Sequence, residues 1–121
     1  MAKRTAVKLC GIYQIEHRFS HKKYIGSSMD IWNRWKQHRS SLADGKHHNK
    51  QLQLDYDFYD RMGNLYIYTI VKTFAMPVPS FYLHAIEQKY IDHEKNCYNT
   101  GKPSKKSGMW WITMKIITMF D

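Results

Sequence analysis

The chain has 121 residues, of which 43% are apolar and 15% aromatic, and 19 Lys and Arg against 10 Asp and Glu give a formal net charge of +9. That length fits one domain with material for a core, which excludes disordered, collagen-like and disulfide-scaffold chains, and the charge excludes an acidic binding protein. The charge is also uneven: residues 1–50 hold eleven Lys and Arg, three Asp and Glu and five of the seven His, a positive surface suited to an anionic partner.

From the N-terminus, Leu9 to His17 alternates as a strand, a polar loop covers Arg18 to His21, and Tyr24-Ile25-Gly26 is a second short strand, so the two predict a hairpin. Ser27 to Asp30 offers several N-caps for a helix from Ile31 to Ala43. Its stripe of Ile31, Trp35, His38 and Leu42 keeps helical spacing, and Gly45 stops it. Asn49 to Tyr59 reads as a second helix and Met62-Gly63-Asn64 as a turn. Leu65 to Thr73 reads as a third strand, in which Leu65, Ile67, Thr69 and Val71 alternate with tyrosines. After Pro77 and Pro79, Ser80 is positioned to cap a helix from Phe81 to about His93, and Asn96 to Asn99 reads as a turn. The order predicts an α+β domain: a small three-stranded, mostly antiparallel sheet flanked by about three helices. Residues 101–108 have linker composition with three lysines, and 109–120 form an apolar tail.

Cys10 and Cys97 lie in no close-spaced ligand pattern, and no apolar stretch follows the basic start. The tail is too short to span a bilayer. These features predict an intracellular chain with reduced thiols and no membrane partner.

Three features carry chemistry. Tyr13 and Tyr24 sit on adjacent strands and can face one surface, although paired sheet tyrosines usually just pack. Arg34 and His38, four apart, share a helix face: an edge-of-core His beside a solvated Arg, or a phosphate-holding Arg beside a proton-sharing His. Glu87 falls on the apolar stripe of Leu83, Ile86 and Tyr90. There it needs either a salt bridge or a divalent ion completed by water and phosphate oxygens. His47 and His48, in Gly45-Lys-His-His-Asn49, read as a solvated loop or as phosphate contacts, and Asn99 as a turn residue.

Gly11-Ile12-Tyr13, Tyr24-Ile25-Gly26, Arg34-Trp35-x-x-His38, Glu87 and Tyr98-Asn99, in this order, resemble the GIY-YIG nuclease family. Gly45-Lys-His-His-Asn with Leu52-Gln53 and Gly63-Asn64 is similar to phage-type homing endonucleases of that family. The resemblance covers about residues 9–100 and implies a catalytic domain over 1–100, with 101–121 as basic linker and apolar tail. It implies metal-dependent hydrolysis of DNA phosphodiester bonds with one Mg²⁺ or Mn²⁺ per site. Tyr13 would then activate the attacking water and Tyr24 would orient it. Arg34 would stabilise phosphate charge, His38 tune the tyrosines, Glu87 bind the metal and Asn99 support the site. Lys22, Lys23, Lys36, Arg39, Lys46, His47 and Lys50, with Arg18, would grip the DNA backbone. The competing readings are a non-catalytic basic nucleic-acid-binding module and a nuclease subunit that needs a partner for targeting. The tail would pack back on the domain, or join a second copy or a partner protein through 109–120.

Overall fold

The computed structural model describes residues 8–75 and 78–99; the linker and tail read from the sequence lie outside the described residues. The elements are β1 (Cys10–His17), β2 (Lys23–Ser28), α1 (Ile31–Ala43), α2 (Lys50–Phe58), β3 (Tyr66–Phe74) and α3 (Ser80–His93). The strands form one antiparallel sheet in the order β2-β1-β3. The predicted elements all form, with ends shifted by at most one residue except at β2, which extends by one residue to Lys23 and by two to Ser28.

The sheet is covered on both faces. Tyr13, Ile15, Tyr24 and Tyr66 pack against Ile31, Trp35 and Leu42 of α1 and Leu52 of α2. Cys10, Ile12 and Ile25 pack against Leu83, Ala85 and Ile86 of α3. A bulge joins the two layers. Ile12 pairs with Lys72 and Tyr13 with Ile70, so Val71 is the extra residue. The slip changes the phase of β3: Tyr66, Tyr68 and Ile70 belong to the α1 layer, whereas Phe74 joins the α3 cluster. Ile67 and Val71 remain exposed.

Caps and one remote arginine hold the helix ends. Asp30 accepts from the Asn33 N–H and Asn49 from the Leu52 N–H. Gly45, at φ 74°, ends α1, and Arg61 donates to the Ala43 carbonyl at 2.7 Å, placing a cation at the negative end of α1. The cap predicted at Ser80 does not form: Pro79 holds the N-cap position, no side chain bonds there, and Ser80 is the first helical residue. The preset φ of proline suits this entry into a helix. Cys10 and Cys97 are free thiols, and no described helix is long and apolar enough to cross a membrane.

Candidate active site

Both glycines of the paired motifs are dictated by close approach. A Cβ on Gly11 would run into the Lys72 carbonyl oxygen and come within 2.9 Å of the Thr73 Cα, both backbone atoms of β3 beside the bulge. A Cβ on Gly26 would run into the Tyr13 hydroxyl and sit 2.5 Å from its Cζ. Gly26 pairs with Tyr13 and Tyr24 with Ile15, so the two tyrosines lie diagonally on one face and Gly26 is the gap over which the Tyr13 ring lies.

Both rings meet His38 edge to face, with centroids 5.6 and 5.2 Å away. The Tyr13 hydroxyl is 2.6 Å from His38 Nε2, and His38 Nδ1 is 2.7 Å from His47 Nε2. The backbone sets the direction of this chain. The Asn49 N–H donates to His47 Nδ1 at 3.0 Å, so the His47 proton sits on Nε2 and donates to His38 Nδ1. His38 then donates from Nε2 to the Tyr13 oxygen, which leaves the phenolic proton free to point elsewhere. Burial first, then neighbouring Arg34 and His47, push His38 down to about 3. Burial and His48 push His47 down to about 4. Both rings are therefore neutral at pH 7, as the relay requires.

His47 is the main departure from the sequence reading. It is 5% exposed and stacked on His38, not a solvated loop residue reaching for phosphates. Gln53 fixes it. Its Oε1 accepts from the His47 N–H, while its Nε2 donates to the Leu42 carbonyl and to Asp57. His48 is exposed and lies 3.0 Å from the Tyr24 hydroxyl.

Arg34 bonds Gln37 at 3.0 Å, and its charge lowers the proton affinity of both phenols. Burial outweighs it, however: desolvation raises Tyr13, and the Tyr24 charge adds to that, while Tyr24 itself is raised by burial and then by Glu87. Glu87 comes from the opposite layer. The Ser27 hydroxyl, on the α3 face of β2, donates to Glu87 Oε1. Burial raises the Glu87 carboxyl, opposed by that bond and by the charges of His84 and Arg34. Since β2 is an edge strand, a carboxylate from the α3 side and phenols from the α1 side can converge around its rim. Ser27 could not be singled out from sequence, because only the pairing places it sixty residues upstream against Glu87.

Asn99 works as a backbone clamp. Its Oδ1 accepts from the Ile25 N–H at 2.7 Å and its Nδ2 donates to the Ile25 carbonyl at 2.8 Å. With the Lys23–Cys97 bridge and the Tyr98 N–H to Lys23 carbonyl bond, residues 96–99 line the outer edge of β2 and hold the residue between Tyr24 and Gly26. Among the basic residues, Lys36, Arg39, Lys46 and Lys50 are exposed. Lys22 instead bonds Gln51 and lies over the Tyr98 ring, Lys23 pairs with Glu94, and Arg18 bonds the Asn64 carbonyl. No group of three or more His, Cys, Asp or Glu that could hold a metal occurs among the described residues. Among the described residues, Glu87 is the carboxylate whose charge bears on both Tyr13 and Tyr24.

Residues 9–101 match the GIY-YIG catalytic domain. The chain is 36% identical over 62 residues to Intron-associated endonuclease 1 of Enterobacteria phage T4, a match that covers 51% of this chain and 24% of that protein. It is similar to the solved catalytic domain of homing endonuclease I-TevI, with TM-score 0.64, 28% identity, and coverage of 77% of this chain and 99% of that one. A single-residue variant of the same domain gives TM-score 0.67 at 27% identity, over 79% and 97% of the two chains. The paired glycines, the tyrosines that they admit and the match over most of the chain agree: this chain belongs to the GIY-YIG catalytic domain family.

Proposed function

We propose that the chain is a metal-dependent DNA endonuclease that hydrolyses phosphodiester bonds within the cell, like the homing endonucleases that it resembles. The observation that carries this is the hydrogen-bonded chain from Tyr13 through His38 to His47, with Tyr24 diagonal to Tyr13 on the same sheet face and Glu87 held by Ser27 from the other side of β2. Tyr13 orients the attacking water and is the group to take its proton. Burial opposes the phenolate that this requires, whereas the His38 Nε2–H and Arg34 favour it. Tyr24, held by His48, steadies the water from the second strand. Arg34 offers a forked donor to the charge that builds on the phosphoryl oxygens. Asn99 holds Ile25, and with it the stretch of β2 that carries Tyr24.

The donor set fits a hard divalent cation such as Mg²⁺ or Mn²⁺: a single carboxylate, Glu87, held on one oxygen by Ser27, leaves most positions to water and phosphate. When bound, such an ion supplies Lewis-acid stabilisation of the leaving oxygen. Lys36, Lys46 and Lys50, exposed and without partners among the described residues, would grip the duplex.

Supercoiled plasmid incubated with the protein and Mg²⁺ or Mn²⁺ tests this reading. Wild type should nick, and Glu87→Ala and Arg34→Ala should each lower the rate about 100-fold or more, with circular dichroism unchanged. No nicking by wild type that still binds DNA would replace this reading with the binding module.

A further inference from the structure

A cavity lies on the flank of α1 that carries Arg39. It has a volume of about 160 Å³ and is walled by Arg39, Tyr56, Met62, Gly63, Tyr66 and Tyr68. That is far more than the ~15 Å³ that one water needs, and less than the roughly 300 Å³ at which drug-sized ligand pockets begin. It therefore suits one ring system. Among the lining residues, the Tyr56 and Tyr66 rings are stacked, 17° from parallel with centroids 6.3 Å apart, and the Arg39 guanidinium lies 5.1 Å from the Tyr68 ring centroid. The Tyr66 hydroxyl is spent on the Leu52 carbonyl. Those of Tyr56 and Tyr68 have no hydrogen-bond partner among the described residues, and burial pushes Tyr68 up to about 12, so its hydroxyl keeps a proton to donate. Rings for stacking, a guanidinium plane and two available hydroxyls are the groups that recognise an unpaired nucleobase. A hydrocarbon would leave those hydroxyls dry, and no carboxylate lines the cavity to hold a metal.

We propose that this cavity receives the base of an unpaired nucleotide in the bound DNA; the inference rests on DNA being the partner. Arg34 and Arg39 flank the buried stripe of α1 on opposite sides, with exposed Lys36 on the outer face. A strand passing over α1 would meet all three. The helix is about 10 Å wide, so the captured base sits about three base steps from the phosphate at Arg34. The cavity also touches the active site through packing, because Trp35 contacts Tyr68 on one side and Tyr13 on the other.

Gly63 gives a clean block. A Cβ there meets nothing within 4 Å and its φ is ordinary, so Gly63→Leu adds volume without backbone strain. Affinity is read by fluorescence anisotropy in EDTA at fixed salt, for a paired duplex and the same duplex with one extra adenine in one strand. Wild type should bind the bulged duplex at least fivefold more tightly. Gly63→Leu, with unchanged circular dichroism, should lose that preference and keep its affinity for the paired duplex within twofold. Equal binding of both duplexes by wild type, or a preference that survives Gly63→Leu, overturns the pocket while leaving the DNA-binding reading intact; binding of neither duplex overturns both. A second readout needs no variant: 2-aminopurine at the unpaired position should dim on binding as it stacks on tyrosine, and brightening would place the base in solvent and overturn the proposal.

Discussion

At the scale of residues, the site depends on buried polar groups whose protonation is held by their surroundings. His38 and His47 are pushed down to about 3 and about 4 from the ordinary 6.5. The unfolded chain therefore binds more protons than the folded one below pH 6.5. Stability is full above that pH and falls as pH drops toward 4, with a loss on the order of 4 kcal/mol, about 2 for each histidine, between pH 7 and pH 5. Urea midpoints across that range should show it, and the double variant His38→Gln with His47→Gln should flatten the curve. The same chain makes His38 a positioning residue for Tyr13. His38→Ala should lower kcat more than KM and shift the ascending limb of the pH–rate profile to higher pH, because the phenolate that takes the proton loses its donor. An unmoved profile would reduce His38 to packing. This part of the site was half legible. The stripe placed His38 inward, but no periodicity marked His47, a loop residue whose ring packs on His38 and Tyr24 while Gln53 of α2 holds its backbone.

At the scale of elements, β1 and β2 together carry the site, with Gly11 on the first and Gly26 on the second. Gly11 admits the bulged β3 backbone and Gly26 admits the Tyr13 ring. The two substitutions should therefore fail differently. Gly11→Ala collides with backbone that cannot swing away and should cost about 3 kcal/mol or more in chemical denaturation. Gly26→Ala collides with the Tyr13 side chain; it should cost less stability and lower nicking more than tenfold, since the ring must leave its place. Asn99→Ala removes both bonds to Ile25 and should cost about 1–3 kcal/mol, with amide exchange at Ile25 accelerated. If Ile25 keeps its protection, the clamp is incidental. The strands and helices themselves were largely readable, since alternation and helical spacing are local. The missing Ser80 cap shows the opposite case, where Pro79 began the helix one residue earlier.

For the whole molecule, the basic first half divides once folded. Lys22, Lys23 and Arg18 are engaged with Gln51, Glu94 and the Asn64 carbonyl, whereas Lys36, Lys46 and Lys50 remain exposed. The latter three should carry the salt dependence of binding. Replacing all three by Ala should reduce the slope of log K against log salt by about 3 and weaken paired duplexes uniformly, whatever their sequence. An unchanged slope would move the DNA to another face.

By itself the sequence determined the element order, the buried stripe of α1 and the isolation of Glu87 on an apolar helix face, because each is written in spacing over a few residues, whereas the paired Gly and Tyr motifs stood out only through their resemblance to a family. Only the tertiary structure decided that Ser27 holds Glu87, that Asn99 clamps Ile25 across 74 residues, that His47 is an inner link of a relay, and that Arg39 roofs a ring-sized cavity. Those contacts join elements far apart in the chain. They arise from sheet register and helix packing, for which no local pattern exists.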